Sequence, residues 1–275
     1  MKATLSGVRI ALFESRLATE ITELVRRSGA EPVCVPAVRE QRRPAGDEVA
    51  ALLTEVEAEA SPVFVFSTGV GAAALFEEAR ALGRAEELRC AIARGLTVCR
   101  GPKPVTALHR EGITASLRAA SPYTTDELLE VLAQVEVRGR MLVLLHYGER
   151  NTPLVEALRA RGARLRELTL YQWELPEDLA PLSRMVEELS QEKFAGAAFT
   201  SQIQARNLLT VAEGMGRREE LCRSLRSHTV VAAVGPTCAR VMTELGVPPH
   251  VLPDSPKMGP MVAALVEHLA QGKAR

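Results

Sequence analysis

The stretch VVAAVGPTCARVMTELG, residues 230–246, runs an apolar segment into a helix-spaced one through a single Gly-Pro, and stops at Gly246. Residues 97–112, TVCRGPKPVTALHREG, write the same phrase. Pro at the first helical position and Gly just past the last are the start and stop signals of a helix, so each phrase reads strand, turn, helix, stop. Working outward, the correspondence holds along the chain. Gly7 pairs with Gly139 at an offset of 132, and Gly29 with Gly162 and Phe66 with Phe199 at 133. Gly101-Pro102 pairs with Gly235-Pro236, Gly112 with Gly246 and Pro122 with Pro256, all at 134. Anchors that stay in step with so little drift mark duplication of a unit of roughly 130 residues, an ordinary domain size.

Each unit alternates strands and helices. In the first, VRIALF is a strand, and Leu17, Ile21, Leu24 and Val25 keep helical spacing up to Gly29. PVCVPAV follows as a strand, then a charged helix over about 46–59, the strand PVFVFS, a helix over about 70–80 and the strand LTVCR. Thr124 and Glu127 form a capping box that opens a last helix. The second unit repeats the order. MLVLLHY leads to a helix begun by Thr152-Pro153, RLRELTLYQW reads as one strand, and AGAAFTS and VVAAVG each run into a helix. A closing helix is entered at Gly259-Pro260. Strands alternating with helices predict a doubly wound parallel sheet in each unit, two similar domains with a cleft between them. Ligands of such sheets sit beyond the C-terminal strand ends. That places STG (67–69), RGPK (100–103), HYGERN (146–151), TSQ (200–202) and GPT (235–237) where chemistry is expected.

Composition narrows the function. Lys plus Arg number 34 against 34 Asp plus Glu, which argues against the basic face that a duplex nucleic acid requires. Only 4% of residues are aromatic, too few for base-stacking platforms. No nucleic-acid partner is expected. No window approaches the ~18 apolar residues of a membrane span, and Arg9 and Glu14 interrupt the opening run, so it does not read as an export signal. Five cysteines form no CxxC pair and five histidines no HxxxH pair, which predicts reduced thiols in a cytoplasm and no metal site.

The loops fit neither a dinucleotide fingerprint nor a phosphate loop, since STGVGAA (67–73) lacks the third glycine. What they share is the N-terminus of a helix, whose free N–H groups and partial positive charge suit a carboxylate or phosphate. Ser67, Thr68, Gly69, Gly101, Lys103, Tyr147, Gly148, Thr200, Ser201, Gly235, Pro236 and Thr237 are the candidate ligand-binding residues. His146 ends an apolar strand, and Cys238 in the first turn of its helix reads as a small buried residue. Runs such as REQRR (39–43) and RREE (217–220) read as solvated faces or linkers.

Taken together, TSQIQARNLL followed by VVAAVGPTCARVMTELGVPPHVLPDSP, LLHYGERNTPLVEALRARGARLRELTLYQWELP, and STGVG with RGPKPVTALHREG resemble the uroporphyrinogen-III synthase family. The resemblance runs through nearly the whole chain. It implies that the two domains exchange their opening strand-helix-strand pieces, one holding residues 1–38 with 173–275 and the other 41–170. PVCVPAVRE and LTLYQWELP would then be a two-strand hinge. It implies a cytoplasmic, cofactor-free monomer acting in tetrapyrrole and haem biosynthesis, a lyase whose substrate is hydroxymethylbilane. Linear hydroxymethylbilane would close to uroporphyrinogen III with ring D inverted and water lost. By family position Tyr171 is the catalytic candidate, an acid that helps water leave.

Two departures from the family pattern stand out. Its Gly-x-x-Thr-Ala motif has Pro104 and Cys238 at the Thr positions, with Thr237 beside the latter, and Glu14, with Arg16 nearby, stands near where a strand-end arginine is common. Backbone N–H donors are expected to survive these changes. The alternatives are a catalytically silent, tetrapyrrole-sensing relative and a two-lobed cytoplasmic small-molecule binding protein.

Overall fold

All six glycines of the repeat outside the Gly-Pro loops take a left-handed backbone. Gly7 and Gly139 have φ of 74° and 69°, Gly29 and Gly162 of 84° and 80°, and Gly112 and Gly246 of 76° and 83°. Side chains are strained in that region, so the duplication is legible because its turns admit little but glycine. The computed structural model describes residues 5–273.

The chain opens with β1 (Arg9–Leu12), α1 (Ala18–Arg26) and β2 (Glu31–Cys34), then β3 (Arg39–Arg42). Next come α2 (Gly46–Glu57), β4 (Val63–Phe66), α3 (Gly69–Ala81), α4 (Ala85–Arg94) and β5 (Leu96–Cys99). α5 (Pro102–Arg110), β6 (Leu117–Arg118), α6 (Thr125–Ala133), β7 (Met141–Leu145), α7 (Thr152–Ala160) and β8 (Arg164–Leu168) follow. β9 (Tyr171–Glu174) leads to α8 (Ala180–Ser190), β10 (Gly196–Phe199), α9 (Gln202–Gly214) and α10 (Arg218–Ser227). β11 (Val230–Ala233), α11 (Pro236–Glu244) and α12 (Met258–Lys273) close the chain.

Two compact units result, one of Met1–Arg39 with Glu174–Arg275 and one of Glu40–Trp173. The first holds a four-stranded sheet in the order β11-β10-β1-β2, the second a five-stranded sheet in the order β6-β5-β4-β7-β8. The paired main strands of both are parallel. β3 and β9 form a separate two-stranded sheet where the chain passes between units.

The two sheets are copies of one another. Offsetting β4, β5, β7 and β8 by the repeat gives β10, β11, β1 and β2, and the register follows: Val63 faces Leu142 as Gly196 faces Ile10. Even β6 has its counterpart in the isolated parallel bridge between Ala232 and Val251. Each sheet is thus completed by the first two strands of the other repeat.

Alternation within the central strand explains the layers. Phe64 and Phe66 pack with α2, α3 and α4 residues in one core, while Val63 and Val65 pack with α6 and α7 residues in another. All four are fully buried, and each such burial stabilises by roughly 1.5–3 kcal/mol. In the first unit Phe13 stacks on Phe199 with ring centroids 4.6 Å apart, on the face covered by α8 to α11. On the other face Gly196 lets α12 approach, since a Cβ there would lie 3.1 Å from Leu269.

Three helices depart from the sequence expectations. α4, α8 and α10 were not anticipated; of the two readings offered, solvated face or linker, RREE opens α10 and is no linker, and REQRR is no linker either, since its first four residues form β3. RLRELTLYQW is two strands, interrupted at Thr169 and Leu170, so β8 stays in its sheet while β9 pairs with β3.

Candidate functional site

In the unit of Glu40–Trp173, the C-terminal strand ends gather Thr68, Arg100, Tyr147, Gly148 and His146, with Tyr171 and Trp173 from β9. Thr68 caps α3, accepting the Gly71 N–H at 3.0 Å. Its hydroxyl also lies 2.8 Å from the Tyr171 hydroxyl. Tyr171 is fully buried, whereas Thr68 is half-buried, so the threonine is the reachable member of the pair. Trp173 meets Tyr171 edge-on with centroids 5.3 Å apart and donates its indole N–H to the Tyr147 carbonyl at 2.8 Å. Gly148 fits beneath them with φ +87°, where a Cβ would lie 2.6 Å from the indole. Gly69 is equally constrained, because a Cβ would lie 2.8 Å from the Lys103 carbonyl. Ser67, by contrast, is buried within the unit.

His146 is a structural residue. Its Nδ1 accepts the Asn151 N–H at 3.3 Å, which leaves Nε2–H to donate to Glu167 at 3.0 Å. Arg150 grips the same carboxylate through Nε at 2.8 Å and Nη2 at 3.0 Å, and Arg159 adds a bond at 2.9 Å. Burial pulls the imidazole below its ordinary pKa against the opposing pull of Glu167. Burial pushes Glu167 up, but its bonds to Arg150 and His146 outweigh that and leave the carboxyl below its usual range. This network ties β7 to β8 and to the cap of α7, where Asn151 Oδ1 accepts the Leu154 N–H.

The unit of Met1–Arg39 with Glu174–Arg275 holds the remaining candidates. Ser201 and Gln204 form a capping box at the start of α9. Glu14, beyond β1, accepts hydrogen bonds from the Thr200 hydroxyl and from Gln204 Nε2 at 3.3 Å. Its other oxygen takes the amides of Arg16 and Leu17. The chain therefore supplies its own carboxylate at this helix start. Gly235 has an extended backbone; its glycine is required because a Cβ would lie 2.8 Å from Pro256. Pro236 and Thr237 are exposed at the start of α11. Burial pushes the Cys238 thiol up to about 12, which keeps it protonated and inert.

α3, α7 and α9 are each closed by a side-chain cap, while α5 and α11, the helices of the repeated Gly-Pro loops, have none. The expectation that backbone donors survive does not hold for α5. Pro104 occupies the third position of that helix and has no N–H, so there the substitution does remove a backbone donor. Sequence reasoning placed RGPK (100–103) at the expected site but took Gly101 and Lys103 from it and not Arg100. Its signal was the contrast with Val234, its counterpart at the 134-residue offset. Among the described residues, no cluster of His, Cys, Asp or Glu is arranged to hold a metal ion, and no helix is long and apolar enough to cross a membrane.

A duplicated, strand-exchanged pair of parallel α/β units, with uncapped helix starts at equivalent strand ends, defines the class of the fold. The family profile described as uroporphyrinogen-III synthase HemD matches residues 19–263, and the chain belongs to that family. A crystal structure of a mutant uroporphyrinogen III synthase from the extremely thermophilic bacterium Thermus thermophilus is similar with a TM-score of 0.76 and 27% identity, over 96% of this chain and 99% of that one. A Bacillus subtilis protein, YjjA, described as uncharacterised, is 28% identical over 96% of this chain and 97% of its own. A Methanothermobacter thermautotrophicus protein described as a putative uroporphyrinogen-III synthase is 28% identical over 62% of this chain and 66% of its own.

Proposed function

We propose that the chain closes hydroxymethylbilane to uroporphyrinogen III, with ring D inverted and water released. The observation that carries this reading is the hydroxyl pair of Thr68 and Tyr171, 2.8 Å apart at the strand ends of a chain of this family. The substrate's hydroxymethyl group departs as water when the adjacent pyrrole nitrogen pushes electrons in; Thr68 passes its proton to the departing oxygen, Tyr171 donates its own to Thr68, and the proton released by the cyclised substrate restores the pair. The resulting cation closes unaided to the wrong isomer, so the protein's task is to hold the chain so that the substituted carbon of ring D attacks and a spiro intermediate forms. Uncapped helix starts suit the substrate's carboxylates, and each unit offers one: the Lys103 amide at α5, and the Thr237 and Cys238 amides at α11. Cys34, Cys90, Cys99, Cys222 and Cys238 are all free thiols, which supports a reducing, cytoplasmic setting.

A second reading, a catalytically silent tetrapyrrole-sensing relative, is favoured by Glu14, whose negative charge occupies a place that suits a substrate anion. Turnover of hydroxymethylbilane separates the two. A synthase yields isomer III faster than the spontaneous reaction, and a sensor binds without changing the product mixture.

A further inference from the structure

The two Gly-Pro loops are not equivalent as anion receivers. In α11 only the first position is proline, so the Thr237 and Cys238 amides lie outside the helix's own hydrogen bonding. In α5 the first and third positions are both proline, Pro102 and Pro104, which leaves the Lys103 amide alone. The loop with fewer amides is the one that carries an arginine directly after its strand. Arg100 follows β5, where the other unit has Val234 after β11.

The Arg100 side chain is half-buried, with its guanidinium carbon 5.0 Å from the centroid of the Tyr147 ring. Among the described residues its guanidinium has no carboxylate within ion-pair distance and no hydrogen bond. Arg150 and Arg159 of the same unit, by contrast, are both engaged by Glu167. Burial pulls Arg100 below the ordinary arginine pKa, with only the Tyr147 and Tyr171 phenols opposing. A partly desolvated cation without a counter-ion destabilises the fold that carries it. Its place over the Tyr147 ring engages the guanidinium's charge and leaves its N–H donors unused.

We propose that Arg100 is the carboxylate receiver of this unit, its guanidinium gripping an acetate or propionate side chain of the substrate in place of the amides that Pro102 and Pro104 remove. The proposal rests on the synthase reading for the identity of the substrate. Arg100 is a binding and positioning residue, and the bond-breaking step does not pass through it.

The test compares wild type, Arg100→Gln and Arg100→Lys. It uses calorimetric binding of uroporphyrinogen III kept reduced, the KM and kcat for hydroxymethylbilane, and melting temperature. A charge-assisted pair of this kind predicts a Kd and KM raised roughly 10- to 100-fold in Arg100→Gln. The kcat should stay within about threefold, and Arg100→Lys should recover part of the affinity. The glutamine variant should melt at or above wild type, because no internal partner is lost. A Kd changed by less than about twofold overturns the proposal, as does a glutamine variant that melts well below wild type. If wild type binds uroporphyrinogen III but forms no isomer III, a loss of binding in Arg100→Gln removes the synthase reading and leaves this one standing. If wild type forms isomer III and Arg100→Gln is indifferent, this proposal alone falls. If wild type neither binds nor turns over, both fall.

Discussion

Tyr171 and Thr68 show how burial redistributes a role between two hydroxyls. The tyrosine lies wholly inside and hydrogen-bonds a half-buried threonine; on the proposed function its contribution is to hold the hydroxyl that the substrate reaches. Tyr171→Phe should therefore cost about 1 kcal/mol of stability and slow isomer III formation by no more than about tenfold, because the pyrrole nitrogen already drives departure. A loss near the upper end of the 10²–10⁴ range for general acids, measured in a variant that melts like wild type, would make Tyr171 the direct donor instead. His146 gives a second residue-scale prediction. Its folded pKa lies below the reference value of 6.5, so the unfolded chain binds more protons below that pH. Stability is then fully present above about 6.5 and declines as pH falls towards the folded value. Urea unfolding at pH 7.5 and 5.5 should show a smaller pH-dependent loss in His146→Gln than in wild type; equal losses would mean that the imidazole is not the responsible group. Thr68 was legible as a candidate because it sits in a strand-end motif, and Tyr171 only through its family position. Their pairing was not, since it joins residues 103 apart in the chain and depends on β9 leaving the line of β8.

At the scale of elements, the Gly-Pro loops differ in what surrounds their glycines. A Cβ on Gly235 would press on Pro256 at 2.8 Å, whereas one on Gly101 would meet Tyr123 at 3.3 Å. Gly235→Val should displace the start of α11 and reduce the rate on the order of 10²-fold. Thr237→Ala, which leaves the amide in place, should have a mild effect, and Gly101→Ala should be tolerated better than Gly235→Ala. Rates and isomer ratios of variants that melt near wild type check this order. A Thr237→Ala far more damaging than a folded Gly235→Val would mean that a hydroxyl, not backbone geometry, does the work. The same scale shows why some elements escaped the sequence. α10 buries Leu221, Cys222, Ser224 and Leu225 along one face, but Arg218, Glu219, Glu220, Arg223 and Arg226 between them read as a charged run. Pro104 was noticed as a lost hydroxyl when its larger consequence is a lost N–H, which matters only once α5 is known to start at Pro102.

Across the whole molecule, the repeat was legible because its turns demand glycine with positive φ, and the alternation of strands and helices predicted the parallel sheets. The periodicity could not say which strands share a sheet. β1 and β7 read the same whether each stays with its own repeat or joins the other, and only their pairing with β10 and β4 decides it. Both units carry uncapped helix starts at equivalent places, and the proposed function is the directed closure of a polycarboxylated substrate. The most direct test incubates the protein with hydroxymethylbilane, oxidises the products and separates isomers I and III. Isomer III should be the dominant product, formed faster than in a protein-free control. A product mixture and rate matching that control would contradict it.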